Sequence, residues 1–418
     1  MGLTNVLTVA VLITAILVGI VNMDNPKLNE FLVKMAFNKF KDGVFCMQFD
    51  DNGEILKFGE THRYSECDNT MIVHDRANTF NSLVKGSIGI GESFFNGYWD
   101  EAPGSDLGDL FSHLLWNTKT KEGYLFGAIF RFLRIFDWQQ YLERIGLTKT
   151  KSIDKEHIQY HYNLTKMYEY MLDSNMVYTC ALWTEDTSTL YEAQMNKVNV
   201  LLSKMRVNMK HGISGGNVLD IGSGWGHLVS YIHNQSTDAS HPFNVTGITI
   251  VDDQVRYSVQ RWNAKQNNAS SPYYLNMDFR DLHKVYGDNF FDSIVSVGVI
   301  SHIHAKRMDE FFDILYRILK PGGSVVIQGV TATQALNVPL EDEHFAKKSK
   351  LCKGYNFIGK YIFPGGCVIL GDWIMEWSHK HGFLNVHREY IGHHYSKTVR
   401  EWRYNLIKYK KQVLGKDI

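Results

Sequence analysis

The stretch Val218-Leu-Asp-Ile-Gly-Ser-Gly-Trp-Gly226 limits the folds open to this chain more than any other. Asn217 to Ile221 is a short apolar run with strand character. Glycines follow at 222, 224 and 226, and helical spacing sets in from Gly226 to His233. A strand that turns on alternating glycines into a helix lets backbone approach a ligand, because no Cβ stands in the way. The surrounding chain repeats the alternation. Val245–Ile250, Tyr273–Met277, Ile294–Val297 and Ser324–Val330 read as further strands. Asp252–Gln266 and Met308–Leu319 read as helices, the second stopped by Pro321-Gly322-Gly323. This predicts an α/β, doubly wound, mostly parallel sheet with helices on both faces. The crevice beyond its first strand is the default ligand site.

Dinucleotide-binding loops have the order G-x-G-x-x-G, whereas this loop is G-x-G-x-G preceded by Asp220. That order is the fingerprint of S-adenosylmethionine (SAM) methyltransferases. Asp220, Gly222, Gly224 and Gly226 are therefore candidate cofactor residues. Thr249 and Gln254 fall at the end of the second strand, where the ribose would lie. Asp278 follows the third strand, placed to accept from the adenine amino group, with Phe279 flanking the ring. The competing reading of Asp278 is a helix cap.

With 418 residues, more than one domain is expected. Met1 to Met23 carries no charge, enough to span about 30 Å as a helix. Lysines at 27, 34, 39 and 41 follow it and none precedes it. The segment reads as a transmembrane anchor that leaves the catalytic part in the cytosol. Residues 28–147 form a smaller α+β block. Within it Asp50-Asp51-Asn52-Gly53 joins two strands (Val44–Phe49 and Ile55–Phe58), and Leu107–Trp116 and Leu125–Ile135 have helical spacing. The glycines between Gly86 and Trp99 resemble a phosphate loop, but no Lys-Ser/Thr follows, and tight helix packing is favoured. The polar stretch 148–156 is a linker, and 157–418 is the catalytic domain. Lys+Arg and Asp+Glu both number 44, which excludes a broad nucleic-acid footprint. The five cysteines (46, 67, 180, 352 and 367) are scattered without metal spacing and suit a reducing compartment.

The chain resembles the cyclopropane-fatty-acyl-phospholipid synthase family of SAM-dependent lipid methyltransferases, over about residues 30 to 405. The matching stretches are Gly86–Trp99, His161–Leu164, Met176–Trp183, the glycine loop, Gly247–Thr249 with Gln254, Asp278–Leu282, Lys360–Gly366 and His394–Thr398. The resemblance implies a class I, Rossmann-like methyltransferase domain behind a lipid-engaging domain. It also implies SAM as cofactor, with Tyr178 and Trp183 joining Gly222, Gly224, Thr249 and Gln254 around it. The substrate implied is an unsaturated acyl chain of a membrane lipid.

In this family the base is a bound bicarbonate, held by a Cys, a Glu, a His and a Tyr. Cys180 and Tyr395 match. The Glu falls on Ser301, followed by His302, and the His falls on Gln328. Neither Ser nor Gln has the acid–base character of the residue it replaces. The chain ends at Ile418, short of the usual family terminus, so part of the substrate cover is expected to be missing. His302, His304, His393 and His394 fall near these positions, but their spacing argues against a metal. Three alternatives stay open: a sphingolipid C9-methyltransferase-like activity, which Gln328 suits, an N-methyltransferase, and a lipid-binding pseudoenzyme.

Overall fold

A computed structural model describes residues 25–38, 40–41, 43–59, 66–118, 165–207, 215–235, 242–262, 272–332, 357–363, 366, 368–384 and 387–414. The sequence-predicted anchor (1–23), the linker (148–156), the helical stretch from Leu125 to Ile135 and the His161–Leu164 motif lie outside these residues. Among the described residues no helix is long and apolar enough to cross a membrane. The chain divides into two compact units, one of residues 1–147 with 355–360, the other of 148–354 with 361–418.

In the first unit, helix α1 (Pro26–Phe37) precedes strands β1 (Val44–Phe49), β2 (Ile55–Gly59) and β3 (Asn69–Val73). Helices α2 (Arg76–Leu83) and α3 (Ser87–Phe95), strand β4 (Trp99–Glu101) and helix α4 (Leu107–Thr118) follow. The mixed sheet is ordered β2-β1-β3-β4. Gly53 closes the β1–β2 turn at φ 70°, donating to the Phe49 carbonyl at 2.8 Å. The core is aromatic, built on Phe45, Phe49, Phe80 and Trp99. The Gly86–Trp99 stretch is close packing, as expected. A Cβ on Gly89 would lie 1.8 Å from the Ser82 carbonyl oxygen, and one on Gly91 would lie 2.2 Å from the Phe357 ring. Buried Trp99 donates its ring N–H to Ser93 Oγ at 2.8 Å. One expectation fails here. Cys46 on β1 is disulfide-bonded to Cys67, with Cα atoms 5.8 Å apart. Spacing in sequence hides the pair, because 21 residues and a hairpin separate them. The cysteines therefore give no argument for a reducing compartment.

The second unit opens with α5 (Thr165–Met171) and α6 (Leu190–Lys204), the latter started by a capping box between Thr189 and Glu192. Then β5 (Gly216–Ile221), α7 (His227–His233), β6 (Phe243–Thr249), α8 (Asp252–Trp262) and β7 (Tyr273–Asn276) alternate. After them come α9 (Leu282–Tyr286), β8 (Phe291–Val297), α10 (Met308–Ile318) and β9 (Leu319–Gln328). Helices α11 (Gly371–Lys380) and α12 (His393–Leu414) complete it. The five strands are all parallel and ordered β7-β6-β5-β8-β9.

Both faces of this sheet are buried, so its strands are apolar almost without interruption. Leu219, Ile221, Ile248 and Ile294 pack against α10 and α11 on one face. Val218, Val245, Val295 and Val326 pack against α6 and α7 on the other. Each fully buried aliphatic side chain contributes about 1.5–3 kcal/mol. The Pro-Gly-Gly stop sits differently from expectation. Leu319 already turns extended (φ −82°, ψ 135°) and pairs with Phe291, so Pro321–Gly323 lie inside β9. They form an irregularity there, after which Ser324 pairs with Ser293.

Candidate active site

β6 and β7 lie on one side of β5, and β8 and β9 on the other. The order reverses at the C-terminal end of β5, and a ligand crevice opens at such a reversal. A cavity of about 370 Å³ is found there.

The loop from Gly222 to Gly226 forms one wall. Its glycines have φ of 77°, 53° and 83°, which side-chain-bearing residues rarely adopt. A Cβ on Gly222 would lie 2.1 Å from Val299 Cγ2, and one on Gly226 would lie 2.6 Å from Ser258 Oγ. A Cβ on Gly224 would meet nothing within 4 Å. Gly222 and Gly226 are thus held by the protein's own packing, whereas Gly224 keeps room for a ligand. The loop is fixed from outside. Gly222 N and Ser223 N both donate to the Ile248 carbonyl at 2.9 Å, and Trp262 Nε1 donates to the Trp225 carbonyl at 2.7 Å.

Asp220 stands at the foot of the loop, 1% exposed, with Oδ1 lacking a hydrogen-bond partner. Burial pushes its carboxyl up to about 7, opposed by the charge of Lys197. An orphaned buried carboxylate oxygen facing a cavity suits a cationic ligand. Thr249 and Gln254 are buried in the lining, and the Thr249 hydroxyl donates to Gln254 Oε1 at 2.8 Å. Asp278 and Phe279 line the cavity too, but the Asp278 carboxylate is engaged. It caps the turn at Phe279–Asp281 and accepts from Arg280 Nε at 2.8 Å and Nη2 at 2.5 Å. The cap reading of Asp278 describes its contacts.

Tyr178, Cys180, Ser301, His302, Gln328 and Tyr395, all predicted from sequence, line the same cavity. Burial pushes the Cys180 thiol up to about 11, against the charge of Lys197. Burial also raises Tyr395, reinforced by Tyr178 and Cys180. Both keep their protons at neutral pH, and the Cys180 thiol donates to the Ala181 carbonyl at 3.4 Å. Gln328 Nε2 donates to the Cys180 carbonyl at 3.0 Å, so this side chain braces the Cys180 segment. His302 stacks edge-on against Phe363, with centroids 5.5 Å apart. Of the predicted cofactor residues, Trp183 alone lies outside the lining. It belongs to the core behind Tyr178, and its ring N–H donates to Thr398 Oγ1 at 3.1 Å. His394 Nδ1 accepts from the Trp183 backbone at 3.3 Å, a structural contact. Among the described residues no group of three or more His, Cys, Asp or Glu is arranged to hold a metal.

Sequence reasoning missed Lys197 and His227, which also line the cavity. Residues 190, 193, 194, 197, 198 and 201 form the buried stripe of α6, and a lysine within such a stripe was the available signal. His227 opens α7, its two ring nitrogens buried without partners. Burial brings it down to about 4, with Lys197 and Arg261 adding to the effect, so it is neutral.

A parallel sheet that changes direction at a glycine-loop cavity defines a class I, Rossmann-like methyltransferase fold. The chain belongs to the mycolic acid cyclopropane synthetase family, whose profile matches residues 149–416. It is 29% identical over 326 residues to the cyclopropane-fatty-acyl-phospholipid synthase of Escherichia coli, covering 77% of this chain and 72% of that one. It is 28% identical over 265 residues (63% of this chain) to a probable fatty acid methyltransferase of Mycobacterium tuberculosis and spans 55% of that protein's length. The solved cyclopropane synthase MmaA2 from Mycobacterium tuberculosis has a TM-score of 0.50 and 26% identity, over 62% of this chain and 86% of that one. Mycolic acid cyclopropane synthase CmaA1 complexed with SAH and CTAB gives the same figures.

Proposed function

We propose that this chain is a SAM-dependent methyltransferase that adds a one-carbon unit to the double bond of an unsaturated acyl chain in a membrane lipid. One observation carries the reading: the glycine loop with Asp220 lines the same cavity as Cys180, Ser301, Gln328 and Tyr395. The relatives named as fatty acid methyltransferases and cyclopropane synthases support it, as does the SAH in the CmaA1 complex.

The residues fit the cofactor on two counts, the ligand-sized freedom above Gly224 and the orphaned oxygen of Asp220. Asp220, Gly222, Gly224, Gly226, Thr249 and Gln254 would hold it, with Tyr178 and Phe279 at the margins. SAM supplies an electrophilic methyl group. Val297, Val299, Ile303 and Phe363 give the cavity an apolar wall for the acyl chain. That wall would also exclude water from the cationic carbon formed when the alkene's π electrons take up the methyl. Ring closure requires that new methyl to lose a proton. Cys180 and Tyr395, protonated, cannot accept it. With Ser301 they would instead donate hydrogen bonds to an anionic base such as bicarbonate. A methyl-branched alkene, formed when the cation instead loses a proton from a neighbouring carbon, as from a sphingolipid C9-methyltransferase, is the second reading. It is favoured by Gln328, which has no basic nitrogen and whose amide N–H donates to the Cys180 carbonyl. In this account residues 1–23 anchor the chain with its catalytic domain on the cytosolic face, and residues 28–147 engage the lipid surface.

Expression with methyl-labelled SAM and mass spectrometry of the lipids tests the reading. One labelled carbon per acyl chain is the expected result, and label confined to headgroup nitrogen would refute it.

A further inference from the structure

Lys197 is only 5% exposed, yet it lines the cavity, and among the described residues no carboxylate forms an ion pair with it. Its ammonium donates to Thr179 Oγ1 at 2.8 Å. One turn earlier on α6, Gln194 Nε2 donates to the Thr179 carbonyl at 2.9 Å. The same helix face therefore grips both the side chain and the backbone of Thr179, between the two cavity residues Tyr178 and Cys180. The titratable groups that face Lys197 are Asp173 and Cys180 on the 172–180 segment, Asp220 at the end of β5 and His227 at the start of α7. Of these, Asp173 is committed to capping the Val177 backbone N–H at 2.9 Å. His227 is neutral. Asp220 alone among the carboxylates presents an unpartnered oxygen.

Burying an ammonium is costly unless something uses the charge. A lysine placed here for packing alone would be outperformed by methionine or leucine. We propose that Lys197 is a positioning residue of the methyl-transfer site, holding Thr179 so that Tyr178 and Cys180 reach the cavity and keeping Asp220 a carboxylate toward the cofactor's cationic groups. The proposal rests on the cofactor reading above. Burial drives Asp220 toward its neutral form and Lys197 opposes this, while Tyr274 on β7 also faces Asp220 and burial brings Lys197 itself down to about 8.

The test is SAM affinity by calorimetry on the full chain between pH 6 and 9, for wild type, Lys197→Met, Asp220→Asn and the double variant. Without its counter-charge Asp220 protonates more readily. Lys197→Met should therefore bind about tenfold more weakly at pH 7 and recover toward pH 9. Asp220→Asn should be weak at every pH, and the double variant no weaker than Asp220→Asn. A folded Lys197→Met with wild-type affinity, or with a loss that does not change with pH, overturns the proposal. Should Lys197→Met fail to fold, wild type decides. Its affinity must fall as the pH drops through 7, and Asp220→Asn must abolish that dependence. A pH-independent wild type refutes the role. If wild type does not bind SAM at all, the cofactor reading fails instead.

Discussion

Valine at position 224 separates binding from folding. Its Cβ would meet no protein atom within 4 Å. The positive φ costs about 1–2 kcal/mol of stability. SAM affinity should fall below detection by calorimetry while the fold survives. Retained affinity would remove the loop from the cofactor site. The base site gives a second residue-scale prediction. Restoring Ser301→Glu together with Gln328→His should raise ring closure about a hundredfold or more, since two charge-assisted hydrogen bonds return, each about 1.5–3 kcal/mol. Gln328→His also gives up the brace on the Cys180 carbonyl, so the single change should help less than the pair. No gain in the cyclopropane fraction from the double variant would show that Ser301 and Gln328 are not what limits closure. Most of these residues were legible in sequence because backbone-driven motifs fix them locally. The packing role of Trp183 and the place of Lys197 were not. Their roles depend on which face of a helix or turn meets the cavity, and that is set by contacts distant in sequence, such as Thr398 with Trp183.

At the scale of elements, β1 and β3 of the first unit are tied by charge as well as by pairing. His74, just after β3, contacts Asp50 at the β1 turn and Asp100 on β4. Its burial would lower its pKa, but the hydrogen bonds and charges of Asp50 and Asp100 raise it overall. The stabilisation is complete below the unfolded value near 6.5 and is lost as pH rises through the folded value. Stability of this unit should therefore decline above pH 6.5, and His74→Gln should flatten that slope in denaturant titrations. The Cys46–Cys67 bond closes a loop of 21 residues and should contribute about 3 kcal/mol. A reductant that leaves the first unit's midpoint unchanged would argue that the bond does not form. The parallel sheet was readable from apolar runs broken by glycine. The disulfide and the course of Leu319–Gln328 were not, because strand pairing decides both.

At the scale of the whole molecule, the uncharged segment 1–23 predicts that the chain stays in the membrane pellet after alkaline carbonate, and that removing it weakens retention. The lysines after the segment favour the cytosolic side, whereas the Cys46–Cys67 bond favours an oxidising one. Protease protection of sealed vesicles distinguishes the two. The central claim is narrower than topology: one cavity holds SAM and delivers its methyl carbon to an acyl double bond. The most direct measurement incubates the purified full chain with carbon-13 methyl SAM and vesicles of unsaturated phospholipid, with and without bicarbonate, and reads the fatty acids by mass spectrometry. The account predicts acyl chains carrying one labelled carbon, with the share present as cyclopropane rising, and the share present as a methyl branch falling, when bicarbonate is added. Unlabelled acyl chains from a protein that binds SAM, or abundant cyclopropane without bicarbonate and unaffected by Tyr395→Phe, would contradict it.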